Sequence, residues 1–276
     1  MKEAGAERSN GYLPRFEEKR MRLAILVVLV CGFVGSARAL DEIWACVRKN
    51  LPSKSSVQEL ELRSVDRTGV EKTLSAKLYW KRTADGLAEI LLRVDGPADV
   101  RGSAFLLLEG KDRSDMFMYL PELKRVRRIT VRSVSGSLFG TDFSYEDLER
   151  LQSIGAGANV TRLADAEVGG QSTYVLAGSP SPDSGSAYER VVSFIDQKTC
   201  IPLKMELYEK GGQLRKLLTV DPAQVRREGG IWFPGQVSLR DLAEQSETRL
   251  VVKKIAIDIE ISDSIFSESA LSTTGH

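Results

Sequence analysis

From residue 57 onward the chain alternates apolar and polar positions with a period of two, the signature of half-buried strands. VQELELRSV sets Leu60 and Leu62 on one face, against Glu59, Glu61 and Arg63 on the other. LSAKLYWKR repeats the pattern, with Leu74, Ala76, Leu78 and Trp80 opposite Lys77, Tyr79 and Lys81. The turn residues Asp66 to Gly69 between them predict a hairpin. LAEILLRV, which holds Leu92, then GSAFLLLE and SDMFMYLP continue the series, separated by Gly96-Pro97 and by residues 110–113. Further strands are expected in STYVLAGS, AYERVVSFID, IPLKMELYE, QLRKLLTVD, IWFPGQVSL and TRLVVKKIAIDIEIS, with Gly211-Gly212 at hairpin spacing between two of them. Ten or more strands in one domain are too many for a flat open sheet. The pattern therefore predicts a mainly β fold built on a strongly curved antiparallel sheet, an incomplete barrel.

Two segments break the alternation. DEIWACVRKN, residues 41–50, places Ile43, Trp44 and Val47 on one helical face, with acids early and bases late. TDFSYEDLERLQS follows a glycine-rich loop; Ser144 stands as N-cap with Asp147 three residues on, and Glu146 and Asp147 fall in the first turn. A short helix from Tyr145 to Ser153 is expected there. Two strands are apolar on both faces: Phe105 to Leu108, and Met116 to Leu120. Such strands must be covered on both sides or must face an apolar ligand.

The N-terminus reads as an address. In MRLAILVVLVCGFVGSARA, residues 21–39, Arg22 supplies charge, Leu23 to Val34 an apolar run, and Ala37-Arg38-Ala39 a small-x-small cleavage pattern. The run is short of the roughly 20 apolar residues that span a bilayer. Residues 1–39 are thus read as an upstream extension plus secretion signal, cleaved after Ala39, and residues 40–276 as one domain. Val30 before Cys31 does not suit a lipoprotein signal. The remaining cysteines, Cys46 and Cys200, form an even pair that an oxidising compartment would bond, or leave as two buried thiols.

Composition removes much chemistry. With 39 Lys+Arg against 38 Asp+Glu there is no polyanion-binding signature, so nucleic acid is not an expected partner. The single histidine is His276, which argues against a histidine triad or His-ligated zinc. GxSxG, Walker A, GxGxxG and CxxC are absent, and no catalytic residue, metal site or cofactor is assigned. Asp142, Glu146 and Asp147 could gather on a metal, but two of them already cap a helix. The basic run Lys124, Arg125, Arg127, Arg128 and Arg132 is the sharpest charge feature. Arg125 and Arg127 would share one strand face, and Lys124 and Arg128 the other. It could bind an anionic head group or an acidic partner, or be a solvated face.

RGSAFLLLE, DMFMYLPELKRVRRI and GSLFGTDFSYEDLERL together resemble the signature stretch of the outer-membrane lipoprotein-sorting protein family, related to the periplasmic carrier LolA. The likeness is strong across residues 96–151. It implies a curved half-barrel closed by an N-terminal helix and short lid helices around an apolar cavity, holding acyl chains of lipids or lipoproteins on their way to the outer membrane. It also implies a periplasmic location and an inner-membrane transporter or outer-membrane receptor as partner. Cavity candidates follow from the strand faces: Leu60, Leu62, Leu78, Trp80, Leu92, Phe105, Leu107, Met116 and Met118. Lid candidates are Phe139, Phe143, Tyr145 and Leu148. The rival expectation is a non-carrying accessory module that docks on an exporter through Lys124 to Arg132.

Overall fold

The alternation becomes burial. Along β1 (Ser55–Val65) Leu60 and Leu62 are buried, and along β2 (Glu71–Arg82) Leu74, Ala76, Leu78 and Trp80 are buried. In the computed structural model, which describes residues 39–111, 113–152 and 159–273, these strands belong to one antiparallel sheet of thirteen. The others are β3 (Ala88–Gly96), β4 (Ala104–Leu108), β5 (Asp115–Leu120), β6 (Arg125–Ile129), β7 (Val160–Val168), β8 (Gln171–Gly178), β9 (Tyr188–Asp196), β10 (Pro202–Glu209), β11 (Leu214–Thr219), β14 (Gln236–Asp241) and β15 (Ser246–Ile257). A two-stranded hairpin, β12 (Val225–Glu228) and β13 (Ile231–Pro234), is inserted between β11 and β14. Residues 39–48 are helical (α1), and α2 spans Tyr145–Gln152. The compact body of the protein begins at Ile43. The expected secretion signal and its cleavage motif before Ala39, Cys31, and Ser153 of the expected helix lie outside the described residues.

The sheet order is β6-β5-β4-β3-β2-β1-β15-β14-β11-β10-β9-β8-β7. Two meanders thus meet where the first strand pairs with the last, from Ser56↔Ile257 to Val65↔Glu247 with one bulge between Glu59 and Leu60. The sheet is curved and does not close. Met116 on β5 and Val191 on β9 belong to one apolar cluster, although nine strand spacings would separate their strands by about 43 Å in a flat sheet. Its edges, β6 and β7, are also consecutive in the chain. The 130–159 connection, with α2, must therefore pass from one edge of the curved sheet to the other.

The doubly apolar strands are covered on both sides. Phe105 and Leu107 face the large cluster, while Leu106, with Leu91, packs beneath Phe266 and Leu271 of the C-terminal segment. Arg93 ties that segment down by donating to the carbonyls of Ala270 and Thr273. Cys46 of α1 is bonded to Cys200 in the turn between β9 and β10, with Cα atoms 5.8 Å apart.

Three sequence expectations need correction. The basic run is not one strand: Lys124 ends a 3-10 turn in the left-handed region (φ 47°) and Arg132 lies in a second turn, so only Arg125 to Ile129 pair with β5. IWFPGQVSL is two strands divided at Gly235, where a Cβ would come within 2.8 Å of the Gln224 carbonyl. Finally, VTRLADAEV forms β7, which as an exposed edge strand has no buried alternation to read.

Candidate functional site

The concave face of the sheet is filled unevenly. Toward β3–β5 it is packed solid by the start of α2 and the loop before it. Phe143 and Tyr145 are buried there, Tyr145 stacks on Phe105 with ring centroids 5.3 Å apart, and its hydroxyl donates to Met118 Sδ at 2.9 Å. Toward β9–β11 the same face lines a partly open cavity of about 280 Å³. Leu60, Leu78 and Trp80 form one wall, and Val191, Met205 and Leu218 another. The roof has three pieces: Trp44 and Val47 of α1, Trp232 and Phe233 of β13, and Leu148 and Leu151 of α2. The disulfide fixes α1 in that roof, and Asn50 adds two bonds, donating to the Thr199 carbonyl (2.7 Å) and accepting from Trp232 N (3.0 Å).

The third roof piece is held by a buried polar lattice. Ser144 and Asp147 form a reciprocal cap: Ser144 N donates to Asp147 Oδ2 (2.8 Å), and Asp147 N to Ser144 Oγ (3.2 Å). Asp147 also accepts from Lys216 Nζ on β11 (2.8 Å) and from Tyr188 Oη on β9 (2.8 Å). Lys216 reaches the Asp142 carbonyl as well, at 2.6 Å. Burial, with the Asp147 carboxylate alongside, pushes the Tyr188 phenol far above its ordinary value of 10.0, so it remains a donor. Glu146 accepts from Ser186 Oγ (2.6 Å) and Ala187 N (3.0 Å), and Asp142 from Thr248 Oγ1 (2.6 Å) and Ser246 Oγ. The three carboxylates that could have gathered on a metal are each engaged by separate donors, and among the described residues no acid, histidine or cysteine cluster suited to a metal occurs.

Of the cavity candidates, Leu60, Leu78 and Trp80 line the space. Leu62, Leu92, Phe105, Leu107 and Met116 are buried in the same apolar cluster but away from the cavity, and Met118 packs at its margin. Of these, Phe105 and Met118 touch Tyr145 directly. Of the lid candidates, Leu148 lines the cavity, Phe143 and Tyr145 anchor the helix in the packed half, and Phe139 sits at the cluster's edge in the left-handed region (φ 53°). Lys124, Arg125, Arg127 and Arg128 do not line the cavity: Lys124 is exposed in the turn before β6, Arg125 and Arg127 are exposed on β6, and Arg128 pairs with Asp115 and borders a separate cleft with Arg132.

Sequence reasoning missed Trp44, Val191, Trp232 and Phe233 as wall and roof residues. It also missed three polar atoms. Among the described residues, the buried side-chain atoms with no hydrogen-bond partner in the protein are Ser56 Oγ, Trp80 Nε1 and Arg150 Nε. All three residues line this cavity. Leaving a buried donor unsatisfied costs about 1–3 kcal/mol, so such atoms are uncommon and call for an explanation. One signal was legible: Ser56 and Gln58 share the buried face of Leu60 and Leu62, where apolar residues were expected.

Comparison with known proteins adds to this geometry. A family model described as "Uncharacterized protein"-like matches residues 86–273. No curated protein matches the chain. Among solved structures, a DUF1329 family protein from Desulfovibrio piger superposes with a TM-score of 0.79 at 27% identity, covering 85% of this chain and 98% of that one. A putative outer membrane lipoprotein-sorting protein domain from Vibrio parahaemolyticus follows at 0.74 and 26%, covering 86% and 98%. A LolA superfamily protein from Nitrosomonas europaea has the same fold, at 0.66 and 20%, covering 84% and 97%.

Proposed function

We propose, from the premise that the chain belongs to the family matched over residues 86–273, that it is a periplasmic carrier of lipid or lipoprotein acyl chains. The observation that bears the reading is the open-sided apolar cavity between the concave sheet face and the roof of α1, β13 and α2. The Vibrio protein's description as a lipoprotein-sorting domain supports it. So does the fold shared with a LolA superfamily protein. Each methylene withdrawn from water gains about 0.8 kcal/mol, so a chain crossing an aqueous space needs such an enclosure and no covalent step. About 280 Å³ is just below the range of about 300–1,000 Å³ usual for ligand pockets and suits one chain rather than several. Among the described residues no helix is long and apolar enough to cross a membrane. The mature carrier would begin at Leu40, its signal having been removed, and would deliver its cargo toward the outer membrane.

The test is native mass spectrometry of protein prepared without detergent, before and after organic extraction. A stoichiometric loss matching an acylated species is expected. A protein that is empty and also takes up no fluorescent fatty-acyl probe overturns the reading. One observation favours a second reading, docking on a membrane exporter: Arg125, Arg127 and Arg128 are exposed on an edge strand with one unpaired side. Replacing all three with alanine would then abolish partner capture while leaving acyl uptake unchanged.

A further inference from the structure

Asn50, in the turn after α1, draws three segments of the roof together. Its amide donates to the Thr199 carbonyl (2.7 Å) and accepts from Trp232 N (3.0 Å). Each segment carries an exposed cation beside that contact. Arg48 and Lys49 precede Asn50, Lys198 precedes Thr199, and Arg227 is the cross-strand partner of Trp232. Neighbouring Cα atoms are 3.8 Å apart along a chain and about 5 Å apart across a strand pair, so these four residues are rooted within roughly 10 Å of the Asn50 amide. The side chains of Arg48, Lys49 and Lys198 have no hydrogen-bond or ion-pair partner among the described residues. The acids next to the four in the chain are Asp196, buried and already accepting from Thr199, and Glu228, exposed beside Arg227. In a chain with 39 basic and 38 acidic residues, this concentration of positive charge is local.

Two aromatic rings complete the surface. Trp44 and Trp232 both line the cavity, and both remain partly open to solvent. Arg227 lies over the Trp232 ring at 5.4 Å, and Arg48 follows Trp44 by four residues, on the same helical face. Four cations spread over three segments make no fork for a single carboxylate; they match a diffuse negative surface. Tryptophan beside a basic residue is also the pairing that settles at a membrane–water interface, where the ring is partly in apolar surroundings and the cation meets lipid phosphate. We propose that this corner of the roof is a docking surface for an anionic lipid bilayer. Arg48, Lys49, Lys198 and Arg227 meet the head groups, and Trp44 and Trp232 lie at the depth of those groups. Resting on the carrier reading, docking would set the roof of the cavity, rather than the convex side of the sheet, against the lipid that gives or receives a chain.

The experiment is flotation of the exported protein, its signal removed, with vesicles of phosphatidylcholine alone or mixed with phosphatidylglycerol. Binding is expected to the anionic vesicles only, and should weaken as salt rises. Combining Arg48→Gln, Lys49→Gln and Lys198→Gln should lower partition about fivefold per charge, equivalent to about 1 kcal/mol each. Removing equal charge elsewhere, with Lys124→Gln, Arg125→Gln and Arg127→Gln, should leave vesicle binding unchanged. Tryptophan emission should shift to the blue on docking, and less so in Trp232→Phe. Equal loss in the two triple variants, as net charge alone would produce, overturns the proposal. So does failure to float with anionic vesicles, which would leave the patch to an acidic protein partner. Uptake of a fluorescent acyl probe keeps the two readings apart. It should survive the roof substitutions unchanged, and its absence from the wild type removes the carrier reading whatever the vesicles show.

Discussion

Lys216 on β11 and Asp147 on α2 are buried 2.8 Å apart, joining the sheet to the one helix that crosses its open side. Most of α2's stability must come from this contact and its neighbours, since eight residues make a marginal helix alone. Lys216→Met leaves the Asp147 carboxylate buried without its cation, which should cost about 3–5 kcal/mol. Adding Asp147→Asn should recover part of that loss, because the amide keeps the cap while removing the charge. Urea unfolding of the two single variants and the double variant measures the coupling directly.

Filling the cavity should separate binding from folding. Val191→Phe extends a wall residue into the space, so uptake of a fluorescent acyl probe should fall at least about tenfold. The melting temperature should stay close to wild type, because the added ring occupies room already present. The same substitution at Leu107, in the packed half, should instead overpack the core and cost about 1–3 kcal/mol.

The bond between Cys46 and Cys200 closes a separation of 154 residues and holds α1 in the roof. Cys46→Ser with Cys200→Ser is expected to lower stability by about 2–5 kcal/mol. Reductant should lower the wild-type melting temperature by a similar amount and leave the double variant unmoved. Differential scanning calorimetry with and without reductant checks both.

Asp258 gives the pH dependence a sign. Burial raises its carboxyl, but hydrogen bonds from Ser53 Oγ (2.7 Å), Lys54 N (2.7 Å) and Ser55 N (3.3 Å) outweigh it, and the net shift is below the ordinary 3.8. The folded state therefore binds the proton less readily than the unfolded chain. Its contribution is fully present above the ordinary value and disappears as pH falls through the folded one. Wild type should be more stable than Asp258→Asn at neutral pH, and the two should converge as pH falls through the lowered folded value, read as urea midpoints across the range.

Alternation told which side of β1 and β2 is buried, because each of these strands has one face on the core and Leu62 and Leu78 mark it plainly. It could not tell where along the concave face space remains. That depends on Phe143 and Tyr145, which fill the half beside Phe105 and leave the half beside Val191 open. The cavity was therefore expected too near β3–β5. The roof residues Trp232 and Phe233 were hidden for a different reason. IWFP reads as the start of a strand, whereas the Gly229-Gly230 turn pairs it back on β12 and Gly235 lets the chain pass close to Gln224. At Ser56 the relevant signal was a small polar residue on a buried parity, which alternation alone treats as noise.

The pairing of β1 with β15 sets the order in which this protein can come into being. Ser56 waits for Ile257, and every strand of each meander is anchored, directly or through neighbours, on that central seam. During synthesis the first half emerges as a curved sheet lacking its partner along β1, with the apolar face of Leu60, Leu78 and Trp80 open to water. Only when nearly the whole chain is free can the last strand dock and close the face. Such long-range pairing folds slowly, and until it is complete the uncovered apolar face is open to non-specific association.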